Sequence, residues 1–224
     1  MSLATICTDA LGAIGGFSVP STFYGNPNLT ATQCVALANE AGKDLEKDIR
    51  WQELISEYTF STISGTATYA LPTGFRAFAN MSQWDRTNLW RLTGPTQAFV
   101  YQWLKSGISI ASTNNAWFAV RGNLFTMFPT PSSARTISFD YYSKNWVLRQ
   151  ATSTATNAWT ADNDTALLDE DLLTADLKWR FLQAKGMPFQ PEYARFEFLK
   201  DLARDDNGPR GAINLGKPLP GGFG

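Results

Sequence analysis

The sequence predicts an α+β protein: a discontinuous helical-bundle domain built from both chain ends, an inserted antiparallel β-sandwich or barrel domain, and an extended C-terminal arm. Three observations lead there. Leu, Ala, Lys and Glu, which favour helices, concentrate in the outer thirds, whereas Thr, Ser, Asn and the aromatic residues, which suit a pleated surface, concentrate in the middle. Charge changes at the same places, from −4 over residues 1–57 to +6 over 58–161 and −3 over 162–224, within an overall −1. From Asp206 onward, six glycines and three prolines exclude a helix or sheet interior. The expected boundaries are therefore 1–57 and 162–205 for the helical domain, 58–161 for the insert and 206–224 for the arm. At 224 residues and 44% hydrophobic content the chain can bury one or two cores.

The elements follow in order. Leu3, Ile6, Cys7, Ala10, Leu11 and Ile14 recur at helical steps, and Gly15-Gly16 stops that helix. Thr30-Ala-Thr-Gln33 has the form of a capping box. After it, Cys34, Leu37, Ala38, Ala41, Leu45 and Ile49 make one apolar face of a long helix expected to end near Ile55. Tyr58–Ile63 and Thr68–Leu71 flank Ser64-Gly65-Thr66 and read as a hairpin. Residues 95–104 suit a helix or turn, 116–121 and 124–128 pair across Gly122-Asn123, and 136–147 alternates as one long strand. Residues 150–165 read as a surface linker. Leu168, Leu172, Leu173, Leu177, Phe181 and Ala184 then form a stripe that stops at Gly186-Met-Pro188, and Pro191 opens a last helix carrying Tyr193, Ala194, Phe198, Leu199 and Leu202.

Whole classes of chemistry are excluded. The chain has no histidine, which removes Ser-His-Asp and Cys-His catalysis and His-ligated metals. Cys7 and Cys34 are too few for a disulfide scaffold and read as buried thiols of a protein made in a reducing cytoplasm. The uncharged run from Ala10 to Asn39 is broken by Pro20 and Pro27, so no membrane span is expected, and the N-terminus lacks the basic start of a signal peptide. No cofactor is expected, since no Gly-rich phosphate loop is present.

The remaining candidates each have a plain structural reading. Asp162-Asn163-Asp164 resembles the start of a calcium loop but lacks its glycine and terminal glutamate, which leaves a solvated loop. Asp169-Glu170-Asp171 sits where acidic residues cap a helix. Asp85 and Asp140, the only carboxylates of the insert, would serve a glycosidase only if they flanked a cleft. Trp84, Trp90, Trp103, Trp117, Trp146 and Trp159 suit a core or subunit interface better than a sugar-stacking platform. The scattered Arg76, Arg86, Arg91, Lys105, Arg121, Arg135, Lys144 and Arg149 would meet phosphate, or the acidic helices of a neighbouring copy and so set register in an assembly.

Taken together, DALGAIG at 9–15, WQELISEYTFSTISGTATYALPTGF at 51–75 and LKWRFLQAKGMPFQPEYARFEFLKDLARDD at 177–206 resemble the head-to-tail adaptor family of tailed bacteriophages, which includes the tail tubular protein A of short-tailed phages. The likeness covers residues 3 to about 206 in element order. It implies a non-enzymatic protein of the virion's head–tail junction: a homo-oligomeric ring, commonly of twelve copies, bound to the portal protein and continuing the DNA channel toward a downstream tail or nozzle protein. It also implies a helical ring wall, a β-domain facing the next tail component, and a C-terminal extension that reaches the portal. Only Arg210, Ile213, Leu215 and Lys217 in the arm are suited to anchor there. A near-neutral or acidic helical layer suits a lumen through which double-stranded DNA slides without sequence-specific binding. The alternative from another class is a carbohydrate-binding or receptor-binding tail module.

Overall fold

The computed structural model describes residues 1–106 and 116–208. The chain runs α1 (Leu3–Ile14), α2 (Leu29–Asp48), β1 (Ile55–Ser61), β2 (Thr68–Ala70), β3 (Phe75–Phe78), β4 (Trp84–Asp85) and β5 (Trp90–Arg91). It continues through α3 (Ala98–Lys105), β6 (Trp117–Arg121), β7 (Leu124–Phe128), β8 (Thr136–Ser143), β9 (Val147–Arg149), β10 (Thr154–Thr156), β11 (Thr165–Ala166), α4 (Glu170–Ala184) and α5 (Gln190–Asn207).

Helix α1 forms as its pattern requires. The Ser2 hydroxyl accepts from Thr5 N at 3.3 Å, and Gly15 at φ 70° ends it. Helix α2 starts earlier than the sequence suggested: its cap is Asn28, whose Oδ1 accepts from Thr30 N at 2.8 Å, and not the Thr30–Gln33 box. It also ends at Asp48, short of Ile55. The Trp51 indole donates to Leu45 O at 3.0 Å and Arg76 donates to the carbonyls of Glu46 and Lys47, so side chains satisfy the carbonyls that a further turn would have used. The cationic Arg76 also suits the negative end of the helix.

Of the expected sandwich or barrel, the barrel is not formed: the strands make three antiparallel sheets that do not close. The eight-residue β8 is the spine of the largest. It takes β1 on one side in a seven-pair register, Ile55↔Tyr142 to Ser61↔Thr136, and β3 and β4 on the other. The expected 58–71 hairpin is therefore absent: β1 goes to β8 while β2 pairs with β7 in the sheet β2-β7-β6. A seven-residue strand makes more cross-strand pairs on β8 than the three residues of β2 could offer. The β6–β7 hairpin forms as expected, with Gly122 (φ 56°) and Asn123 (φ 64°) both left-handed, as a type I′ turn requires. One core lies between these two sheets, where Phe125 stacks on Phe118 at 4.7 Å and on Phe139 at 5.8 Å.

The long strand expected over 136–147 breaks after Ser143, because Trp146 turns inward and is fully buried. It joins the second core, which gathers Leu3, Ile6, Leu11, Leu45, Leu172, Leu177 and Phe181 from α1, α2 and α4. Full burial of each such side chain contributes about 1.5–3 kcal/mol. Residues 150–165 are not the linker expected: they supply β10 and the first residue of β11, the two strands that flank β9 in a short sheet, and Trp159, which is buried edge-to-face against Trp146 at 5.3 Å. Helix α4 begins at the expected acidic run, with Asp169 Oδ1 accepting from Leu172 N at 2.8 Å. On α5 the buried face differs from the expected stripe. Phe196 and Ala203 are inside and Leu199 half-buried, while Phe198 is 64% exposed. Residues 196 and 198 point about 200° apart on a helix, so one face had to be given up.

Candidate assembly site

The last turn of α5 is tied to the end of α2. Asn207 Oδ1 accepts from Gln52 N at 3.0 Å, and Arg204 Nη2 reaches both Asp48 oxygens at 2.8 and 2.7 Å. Donating to the Asp48 carboxylate raises the Arg204 pKa further. Asp206 and Asn207, expected in the arm, are thus the last residues of the helix. Arg210, Ile213, Leu215 and Lys217 lie outside the described residues. The chain start reaches the same end of the protein. The Met1 ammonium pairs with Glu170, while Leu3 N and Ala4 N donate to the Asp164 and Asp162 carbonyls at 3.0 and 3.1 Å. Met1, Trp51, Glu53, Asp169, Asp206 and Asn207 line a cleft of about 580 Å³ between them.

Buried charge holds this arrangement. Arg180 on α4 donates to Asp176 at 2.7 Å, Glu40 at 2.8 Å and Asp44 at 2.9 Å, which locks α4 against α2. Burial nevertheless pushes the Asp176 carboxyl up, because Arg180 compensates only one of its oxygens. Burial likewise raises Glu46, although Arg76 Nη1 stands 3.0 Å from its Oε1. That contact is an ion pair without hydrogen-bond geometry, since Oε1 has no donor aimed at it.

The Asp162–Asp164 segment is neither a calcium loop nor the solvated loop expected. Asp162 accepts from Phe23 N at 3.0 Å and Tyr24 N at 2.7 Å, across 138 or more positions. Asp164 is buried and accepts from Thr160 N, Thr160 Oγ1, Ala161 N and Gln150 N. Burial alone would raise its carboxyl, but these donors together outweigh it and hold the pKa below the ordinary value. Asp-x-Asp after a threonine was the available signal, since such carboxylates cap turns in their own neighbourhood.

The other candidates are dispersed. Asp85 is wholly buried in its own turn, accepting from Thr87 N and Asn88 N at 2.9 Å and from Asn88 Nδ2 at 2.8 Å, with Arg135 at 3.8 Å. Neither it nor Asp140 lines the cleft between the chain start and α5. Of the tryptophans, Trp146 and Trp159 are core, whereas Trp84 on β4 and Trp103 on α3 are exposed on separate elements. Several cations expected to meet a partner are engaged inside the chain: Arg76 with Glu46, Arg86 with Glu57, Arg135 with Asp85, and Arg121 over the Tyr101 ring at 3.9 Å. Among the described residues, no cluster of three or more His, Cys, Asp or Glu could hold a metal ion, and no helix is long and apolar enough to cross a membrane.

These carboxylates and guanidinium groups tie helix to helix and close turns. The SU10 adaptor protein family model matches residues 1–213, and the chain belongs to the SU10 adaptor protein family. This is a family of structural phage adaptors, which places the protein among virion components that contact portal and tail proteins. No curated protein matches the chain.

Proposed function

We propose that the chain is a head-to-tail adaptor that assembles as a ring of twelve copies on the portal vertex, extends the DNA channel and offers the docking surface for the tail. Membership of the adaptor family over residues 1–213 is the observation that carries this reading. The pattern we propose for it is that of tail tubular protein A of short-tailed phages.

In this reading the two chain ends form one helical unit, the ring wall. Its support is the shared core of α1, α2 and α4 together with the Asp162 and Arg180 ties that join early and late segments. The strand-rich insert projects toward the downstream tail or nozzle protein. Because Trp146, Val147 and Trp159 pack with the helices, the wall takes in that end of the 58–161 segment. The segment beyond Gly208 is the portal-binding arm, anchored by Arg210, Ile213, Leu215 and Lys217, and the Asn207–Gln52 bond fixes its point of departure. Double-stranded DNA passes through the lumen without sequence-specific contacts, as suits helices whose exposed acidic residues would repel a phosphate backbone.

Deleting residues 209–224 tests the arm. The truncated chain should melt as the full chain does yet fail to join portal-containing, DNA-filled particles. Undiminished joining would remove the arm from the mechanism.

A further inference from the structure

An open cleft of about 500 Å³ lies on the strand-rich side of the protein, a size suited to a few side chains of a ligand. Phe75, Ala77, Phe78, Met81, Pro95 and Val120 make its walls apolar. The remaining lining residues are Arg50, Arg76, Asn80 and Gln83, so the cleft has two cations and no acid.

Gln83 is the unusual member. Its side chain is 1% exposed, yet neither Oε1 nor Nε2 has a hydrogen-bond partner. Its backbone is in order, with Gln83 O accepting from Leu92 N at 3.0 Å, so the residue itself is firmly placed. A buried carboxamide with both atoms unpaired costs stability, and a leucine of similar size would remove the cost. A group that is expensive in the free protein and lines a cleft is explained by a ligand that pairs with it.

We propose that this cleft binds an extended protein segment carrying an apolar side chain next to a carboxylate. The apolar side chain fills the Phe75–Phe78–Val120 walls, the Gln83 carboxamide turns out of the cleft wall to pair with a backbone amide of the segment, and the carboxylate meets Arg50. Arg50 is the cation for this role: it is exposed and makes no ion pair among the described residues, whereas Arg76 is already engaged with α2. The segment belongs to a different protein and not to a second copy of this chain, and the pairing does not depend on the adaptor reading, so its failure would leave that reading standing.

The test uses the full chain, isotope-labelled, titrated with acetyl-Gly-Leu-Glu-Gly-amide and with its counterpart carrying Lys in place of Glu. The glutamate peptide should shift the Gln83 side-chain amide signals and bind at least about tenfold tighter than the lysine peptide. Arg50→Glu, on the exposed rim, should reverse that preference with an unchanged melting midpoint. Gln83→Leu should abolish binding while keeping or raising the midpoint. Equal binding of the two peptides, or Gln83 signals that do not move, would overturn the proposal. So would Gln83 signals that move with protein concentration alone, since a second copy of the chain would then be the occupant. Should Gln83→Leu fail to fold, the Arg50 variant and the Gln83 signals still decide.

Discussion

The six-membered ring of Trp146 lies directly on the bare Cα of Gly42: a Cβ at residue 42 would stand 2.1 Å from Cη2 of the indole. Helix α2 carries a glycine in its interior for this reason, accepting the loss of helix propensity in exchange for the indole's approach. Trp146 is fully buried there and continues to Trp159, so this contact joins the early helices to the chain that leaves the central strand β8.

Gly42→Ala should therefore destabilise the protein, although alanine favours helix by about 1 kcal/mol. Overpacking of this kind costs about 1–3 kcal/mol or more, which in a chain of this length lowers the melting midpoint by several degrees. An unchanged or higher midpoint in thermal unfolding would show that Trp146 can move aside.

Helical periodicity and turn chemistry were legible in the sequence wherever one element carried its own signal. The Gly15 stop, the Gly122-Asn123 hairpin, the Asp169 cap and Pro191 are all local, and each stands where expected. What depended on partners distant in the chain was not legible. No local pattern in Tyr58–Ser61 reveals that β8 is a longer partner than β2, or that a polar stretch near Asp164 folds back onto residues 3 and 23. The end of α2 is set by Arg76, nearly thirty positions later. For the site, the arm residues Arg210, Ile213, Leu215 and Lys217 follow from the family resemblance and the composition of 206–224, and the Gln83 cleft has no sequence signature, because an unpaired glutamine looks like any other.

The two faces of α5 separate cleanly by mutation. Phe196→Ala removes a buried ring that packs against Trp179 at 5.9 Å and should cost about 3–5 kcal/mol. Phe198→Ala, at an exposed position, should stay within about 0.5 kcal/mol of the parent. Denaturant midpoints for the pair decide between the observed face and the one expected from the sequence, for which the order would be reversed.

Asp164 and Asp176 have opposite signs. The folded pKa of Asp164 lies below the unfolded value of about 3.9, so folding favours its ionised form. That contribution is present above the unfolded value and is lost as pH falls through the folded one. Asp164→Asn should cost about 1–3 kcal/mol at pH 7, where an amide faces backbone donors, and less as the pH falls below about 4. Asp176 lies above its unfolded value, so its ionisation opposes folding, increasingly as pH rises from about 4 toward the folded pKa. Asp176→Asn should gain stability relative to the parent over that rise. Urea midpoints at about pH 2.5 and pH 4 for Asp164 and at about pH 4 and pH 7 for Asp176 check both, and parallel shifts in the two variants would refute the assignment.

Cys7 and Cys34 face each other inside the helical core, both fully buried. The hydrogen bond with Cys34 and burial push the Cys7 thiol well up, away from the reactive thiolate. An aromatic disulfide reagent should label neither residue in the native chain at pH 8 and both in denaturant. Rapid native labelling would mean that α1 opens from α2 on its own.

Cosedimentation with DNA-filled, tailless capsids tests the adaptor role most directly. The purified chain should pellet with particles that carry an exposed portal, saturate at one ring per particle, and stay in solution with portal-free shells. A chain that remains in the supernatant with both kinds of particle, or pellets equally with both, would contradict a place between head and tail.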